Sequence, residues 1–269
     1  GWGKGTVIDE DHIKPHNLAR HVAFVQHIGE PKVRVVDQLA GAFSDEAYSV
    51  RGIEANATDK SSEPVSQALR EARLVVDASA GLGYPRYSSQ LEGVGRHVSV
   101  FLTPNGNGAV LMAEDEARSI RLRTLEAQYY RAVIRQPWGQ QHLDGNLARF
   151  WSGASCRDIS VALPYSRVVA HAATLSEQVM LVSGKSAAEI RVWQRDPGAG
   201  VVAVYDVRPT EERKFDLGDL PVFVDEGVIA HLRALREQAL PAETGGVLLG
   251  YFDFNIKAIM IVDALIAPP

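Results

Sequence analysis

The chain contains a single cysteine, Cys156, and so can form no internal disulfide; that usage fits a reducing cytoplasm without excluding secretion. Long apolar runs are missing as well. None approaches the roughly 20 residues that a bilayer-spanning helix needs, so no membrane segment is expected. Basic residues are outnumbered, 28 Lys and Arg against 33 Asp and Glu, and a net charge of -5 provides no general basic field for nucleic acid. Internal repeats and low-complexity tracts are absent too. What the chain does have is apolar content: 46% of its 269 residues are hydrophobic and 23% charged. That is enough to bury one large core or two ordinary ones, and it argues against global disorder.

Segments of strand length alternate with segments of helical period. Residues 33–40 follow Pro31 with helical spacing, 48–56 read as a strand, and 62–72 as an amphipathic helix. Leu74-Val75-Val76-Asp77 is a short buried strand of the kind found in parallel sheets. Residues 98–102 and 108–112 form a strand pair around a glycine-rich turn. Residues 116–150 are expected to be largely helical, 166–181 form another helix, and 188–208 hold two strands about the turn at Asp196-Pro197-Gly198. The charged stretch 208–214 reads as a linker. Beyond it, 222–224 is strand-like, 226–239 helical, and 245–251 a strand entered through glycines. The alternation predicts an α/β fold with a mainly parallel sheet and flanking helices over residues 1–210, followed by a second segment over 216–269.

The densest functional signal lies near the N-terminus. Thr6-Val7-Ile8-Asp9-Glu10-Asp11 is a short apolar strand ending in acids, and Asn17-Leu18-Ala19-Arg20 and Gly29-Glu30-Pro31-Lys32 follow it. A carboxylate at a strand end can take ribose hydroxyls, and an amide, a guanidinium and an ammonium on the next loop can take phosphates. The plainer reading is a solvated polar loop. This spacing resembles the ThiF/MoeB/HesA family of ubiquitin-activating-like adenylyltransferases. The resemblance implies a Rossmann-like fold in which Asp9 holds the ATP ribose, Asn17 and Arg20 fall on the Asn-Leu-x-Arg motif, and Lys32 contacts the phosphates. Asp11 reads as an exposed loop acid or an N-cap.

The same resemblance marks departures. The glycine-rich turn that cradles phosphates in the family would precede residue 1, no initiator Met is present, and the last residues read as a strand and its exit. The sequence is therefore expected to be an internal fragment with an incomplete Rossmann-like sheet and weak ATP binding of its own. Many family members carry two aspartates three residues apart at the end of a later strand, the second helping to hold magnesium. Here Asp77 keeps the first and Ala80 replaces the second, so Asp77 either substitutes as a cofactor ligand or caps the following turn. For Cys156, with Arg157 beside it, the resemblance implies a thiolate that attacks the acyl-adenylate and forms a thioester; a small core residue is the alternative. His12, His16, His21 and His27 lie close together without a metal-ligand spacing and read as loop and surface residues.

A second resemblance sits near the other end. Pro241-Ala242-Glu243-Thr244-Gly245-Gly246-Val247-Leu248-Leu249-Gly250 resembles the opening of a JAB/MPN metalloprotease domain. It implies the first part of an α+β domain over 216–269, with Glu243 as general base on a zinc-bound water. The zinc ligands, a His-x-His and an Asp, would lie past Pro269, so zinc belongs only to a full-length JAB domain. The alternative is a helix-to-strand loop with a solvent-facing glutamate. Fusions of these two modules occur in bacterial ubiquitin-like modification systems. Together the resemblances imply a cytoplasmic, ATP- and Mg-dependent activating enzyme for a ubiquitin-like or sulfur-carrier protein, compatible with a homodimer and fused to a zinc isopeptidase module. Two other readings stay open: an NAD-linked Rossmann oxidoreductase, whose strand-end acid would hold the NAD ribose, and a non-catalytic binding scaffold.

Overall fold

The computed structural model describes residues 3–19, 21–43, 49–79, 81–143, 150–152, 159–161 and 163–266. They form a mixed α/β structure that divides into two compact units, Gly1–Arg73 with Gly93–Gly95, and Leu74–Glu92 with Arg96–Pro269.

In the first unit β1 (Lys4–Ile8) receives the later strand β2 in parallel, in register from Lys4 against Ser49 to Ile8 against Ile53. A parallel pair needs a crossover, and α1 (Lys32–Phe43) supplies it before β2 (Ser49–Ile53) begins. Val33 and Val35 of this helix are buried. The helix lies so close to the strand that a Cβ on Gly52 would sit 3.0 Å from the Val33 Cβ. The next helix, α2 (Glu63–Glu71), has Pro64 in its first turn and buries Val65 and Leu69, one turn apart on one face.

The second unit opens with β3 (Leu74–Asp77), α3 (Gly83–Ser88) and β4 (Arg96–Leu102), and β3 and β4 pair in parallel. The turn at 103–107 is too short for a crossover, so β5 (Gly108–Ala113) returns antiparallel to β4. After α4 (Leu122–Arg135), the short pair β6 (Phe150–Ser152) and β7 (Ile159–Val161), and α5 (Tyr165–Ser183), the antiparallel strands β8 (Glu189–Arg195) and β9 (Val202–Val207) complete the sheet. Its order is β3-β4-β5-β8-β9. β5 is buried on both faces. Ala109, Leu111 and Ala113 join Val98, Val100 and Trp193 beneath Leu175, Val179 and Val182 of α5; Val110 and Met112 join Ile190 and Val192 against Leu122, Leu125 and Tyr129 of α4.

Two stretches differ from the sequence expectation. Among the described residues of the helix expected over 116–150, the α-helix is α4, which ends because Gln136 precedes Pro137 and takes an extended conformation (φ -92°, ψ 144°). The charged stretch 208–214 is no linker. Thr210 N–H donates to Gln128 Oε1 (2.8 Å), Gln128 Nε2 donates to the Thr210 carbonyl (2.9 Å), and β10 (Glu212–Leu217) starts immediately after. β10 forms a hairpin with β11 (Leu220–Asp225). α6 (Glu226–Ala239) then crosses over, its first turn capped by Asp225, whose carboxylate accepts from Gly227 N–H. β12 (Gly246–Asp253) and β13 (Ala258–Ile266) complete a four-stranded sheet of order β10-β11-β13-β12, in which β11 and β13 are parallel. No helix among the described residues is long and apolar enough to cross a membrane.

Both sheets of this unit share α4. Its apolar face lies on the larger sheet, and its other face presents Arg123, Arg131 and Arg135 to Glu212, Asp225 and Asp263 of the smaller one. Arg131 holds Asp225 with two bonds of 2.5 and 2.8 Å, and Arg135 holds Asp263 at 2.7 and 2.5 Å. Asp225 is 1% exposed, so removing its cation would strand a buried charge. Arg131→Ala is therefore expected to lower the unfolding free energy by about 3–5 kcal/mol. Arg213→Ala, which deletes an exposed pair with Glu226, is expected to change it little. Urea unfolding of the two variants checks this; equal effects would show that the α4 pairs do not hold the smaller sheet in place.

Candidate functional site

The candidate site forms where the chain leaves β1. Asp9 N–H still donates to the Ile53 carbonyl (3.3 Å), while Asp9 Oδ1 accepts from Asp11 N–H (2.8 Å), the local turn a short acid makes at a strand end. Residues 11–13 then run antiparallel to 29–32. Ile13 N–H donates to Glu30, Gly29 N–H to Ile13 (both 2.8 Å), and Lys32 N–H to Asp11 (2.9 Å). Gly29 adopts φ +92°, which a side chain would resist. The excursion between the two arms is anchored by Leu18, packed with Leu39 on the buried Ile13, Ala23 and Val35.

This clasp sets Lys32, the first residue of α1, opposite the acids that follow β1. Its Nζ lies 2.7 Å from Asp11 Oδ2 and 3.5 Å from Asp9 Oδ2. The N-terminus of α1 adds the positive end of the helix dipole at the same place. A shallow cavity of about 340 Å³, lined by Pro31, Val33, Arg34, Asp37, Gly52 and Glu54, flanks the first turn of the helix. Asn17 belongs to the same loop, but its Oδ1 accepts from Lys14 N–H (2.8 Å) and so caps the short turn Pro15–Ala19. Arg20 lies outside the described residues.

Burial first, and then the Lys32 ammonium, pushes the His21 pKa down, so its ring is neutral at pH 7; its Nδ1 accepts from Ala23 N–H (3.1 Å). His27 Nδ1 accepts from Phe24 N–H (3.0 Å), and His12 Nε2 is 3.5 Å from Glu54. His21 and His27 thus serve the loop's own backbone. Among the described residues no group of three or more His, Cys, Asp or Glu could hold a metal ion. Asp11, read from the sequence as an exposed loop acid or an N-cap, is exposed and pairs with Lys32.

Asp77 and Glu243 belong to the second unit. Asp77 ends β3 and is 5% exposed. Its Oδ1 accepts from Ser79 N–H (3.1 Å) and Ser79 Oγ (2.7 Å), and its Oδ2 from Ser99 Oγ (2.7 Å). These serine bonds take three of the acceptor positions of the carboxylate. Glu243 is exposed on the loop between α6 and β12. Just beyond it a Cβ on Gly246 would sit 2.2 Å from the Leu265 carbonyl, so the close approach of β12 to β13 requires glycine there. Cys156 lies outside the described residues, as do Arg157 and Ala80.

Burial raises the Asp77 pKa, and the serine bonds oppose the rise. A carboxyl whose folded pKa is raised favours folding most below its unfolded value, about pH 4, and loses that contribution as pH climbs through the folded value. Asp77→Asn keeps an acceptor for Ser79 and carries no charge. Its melting temperature relative to the parent is expected to rise as the pH is taken from about 4 to about 7. A difference independent of pH would contradict burial as the dominant influence on this group.

No known protein family and no curated protein matches the chain. Solved structures do match. The chain is similar to E. coli MccB, at 14% identity and a TM-score of 0.49, over 76% of this chain and 56% of that one. It is similar to E. coli MccB with ATP, at 14% identity and a TM-score of 0.46 over the same shares, and to PaaA, at 10% identity and a TM-score of 0.44, over 75% of this chain and 63% of that one. The chain thus spans little more than half the length of MccB.

Proposed function

We propose that this chain carries the nucleotide-binding strand and loop of an ATP-dependent adenylyltransferase that activates the terminal carboxylate of a ubiquitin-like or sulfur-carrier protein. The observation that supports this is the meeting of Asp9 and Lys32 at the carboxyl end of the parallel pair β1 and β2, the end at which open α/β sheets bind ligands. The Asp9 carboxylate accepts from the ribose hydroxyls. Lys32, with the N-terminus of α1 behind it, and Arg20 oppose the phosphate charge. A carboxylate oxygen of the partner attacks the α-phosphorus, the bond to the bridging oxygen of pyrophosphate breaks, and the cations balance the charge that collects on the leaving group. The later roles of Cys156 as thioester nucleophile and Glu243 as isopeptidase base rest on the family resemblances alone.

The competing reading is an NAD-linked oxidoreductase, because a strand-end acid also holds the ribose of NAD. The two ligands differ in the triphosphate that Lys32 would meet. Calorimetric titration is expected to show binding of ATP and not of NAD. Lys32→Ala should weaken ATP binding by about tenfold to a hundredfold, the effect of removing ~1.5–3 kcal/mol of charge-assisted hydrogen bonding. ATP affinity unchanged in that variant would overturn the assignment, and NAD binding in place of ATP would favour the oxidoreductase.

A further inference from the structure

Phe215 and Leu217 are 55% and 67% exposed on β10, the edge strand of the four-stranded sheet in the second unit. No described strand lies on the outer side of β10, so its outward backbone groups are open to a further strand. The hairpin with β11 fixes which groups those are. Glu226 N–H donates to the Glu211 carbonyl (2.9 Å), so 211, 213, 215 and 217 bond toward β11, while 212, 214 and 216 turn their N–H and C=O groups outward. Pro221, which has no N–H to give, lies opposite Asp216, where none is needed. Lys214 Nζ lies 3.2 Å from Asp216 Oδ1, and both side chains are more than half exposed.

We propose that β10 pairs antiparallel with β10 of a second copy of this chain, about a two-fold axis at Phe215, and joins the two four-stranded sheets edge to edge. The outward groups of 214 in one copy then bond to those of 216 in the other, and the symmetry repeats the contact. Lys214 faces Asp216 of the second copy twice over. Phe215 meets its own copy at a non-hydrogen-bonded position, where side chains of an antiparallel pair come closest, and Leu217 lies against the stem of Arg213. Charge selects this register. Centring the pair on Arg213, Lys214 or Asp216 would set that charge against its own copy, and centring it on Leu217 would leave Lys214 and Asp216 with no opposite charge across the pair. A lone lysine on an edge strand opposes association, but the aspartate two residues on makes this one half of a self-complementary pair.

Sedimentation equilibrium of the full chain tests this. The parent is expected to rise with concentration from 29.3 kDa toward twice that mass. Lys214→Asp and Asp216→Lys each turn two opposite-charge contacts into two like-charge ones and are expected to weaken the dimer by about tenfold or more, while the double swap restores opposite charges and with them association. In a Cys156→Ser background, Phe215→Cys is expected to form a disulfide-linked dimer in air, because the axis brings that position within disulfide reach of its own copy; Leu217→Cys, which faces Arg213, is not. All four positions are exposed, so the variants keep the fold. A parent at the monomer mass up to its solubility limit overturns the proposal and leaves the edge to a strand of another protein. A dimer that both single swaps leave intact, or in which Phe215→Cys gives no cross-link, is built on another surface and overturns it as well.

Discussion

The second unit depends on one helix having two unlike faces. The apolar face of α4, with Leu122, Leu125 and Tyr129, completes the core of the five-stranded sheet, while its arginines reach the acids of the four-stranded one. Buried ion pairs are weak contributors to net stability because desolvation offsets their attraction, but their geometry is exacting. A bidentate guanidinium donates to a carboxylate in one plane and at one distance. Asp225 shows what that fixes. The same carboxylate is paired with Arg131, caps α6 and accepts from Thr210 Oγ, so the end of β11, the start of α6 and the approach to β10 are set at one point.

In the first unit the constraint is topological. Two strands that lie parallel cannot be joined by a turn, so the chain between β1 and β2 has to travel, and α1 carries it. The excursion before α1 is closed by backbone bonds between 11–13 and 29–32. The acids and the ammonium therefore meet as a result of the fold, with no side chain needing to find its partner unaided. Ordering a long polar loop is costly, and the buried Ile13, Ala23 and Val35 are what offsets it here.

Where a local pattern decides an element, the sequence was legible. The run Gly108–Ala113 has no polar residue and forms a strand buried on both faces. Pro64 followed by Val65 and Leu69 announces the start and the inner face of α2. The misreadings at 116–150 and 208–214 share a cause: the deciding partner is distant or its breaker was discounted. Pro137 ends α4, and Glu212 looked like a solvated charge because Arg123, which holds it, lies 89 residues earlier. The site divides in the same way. Spacing singled out Asp9 and Lys32, found 3.5 Å apart, whereas the place of Asp11 follows from backbone bonds that leave no mark in the side-chain pattern. The bonds that engage Asp77 also come partly from far away, with Ser99 22 residues later in the next strand.

The central claim is that the end of β1 and the start of α1 form a nucleotide site, and backbone amide shift mapping during an ATP titration tests it most directly. A nucleotide seated there moves the amides of residues 9–12, 30 and 32–34 together with ATP concentration, ahead of every other described segment. Shifts confined to another concavity, such as the groove lined by Trp138, Tyr205 and Arg208, or no shifts at saturating ATP, would contradict it.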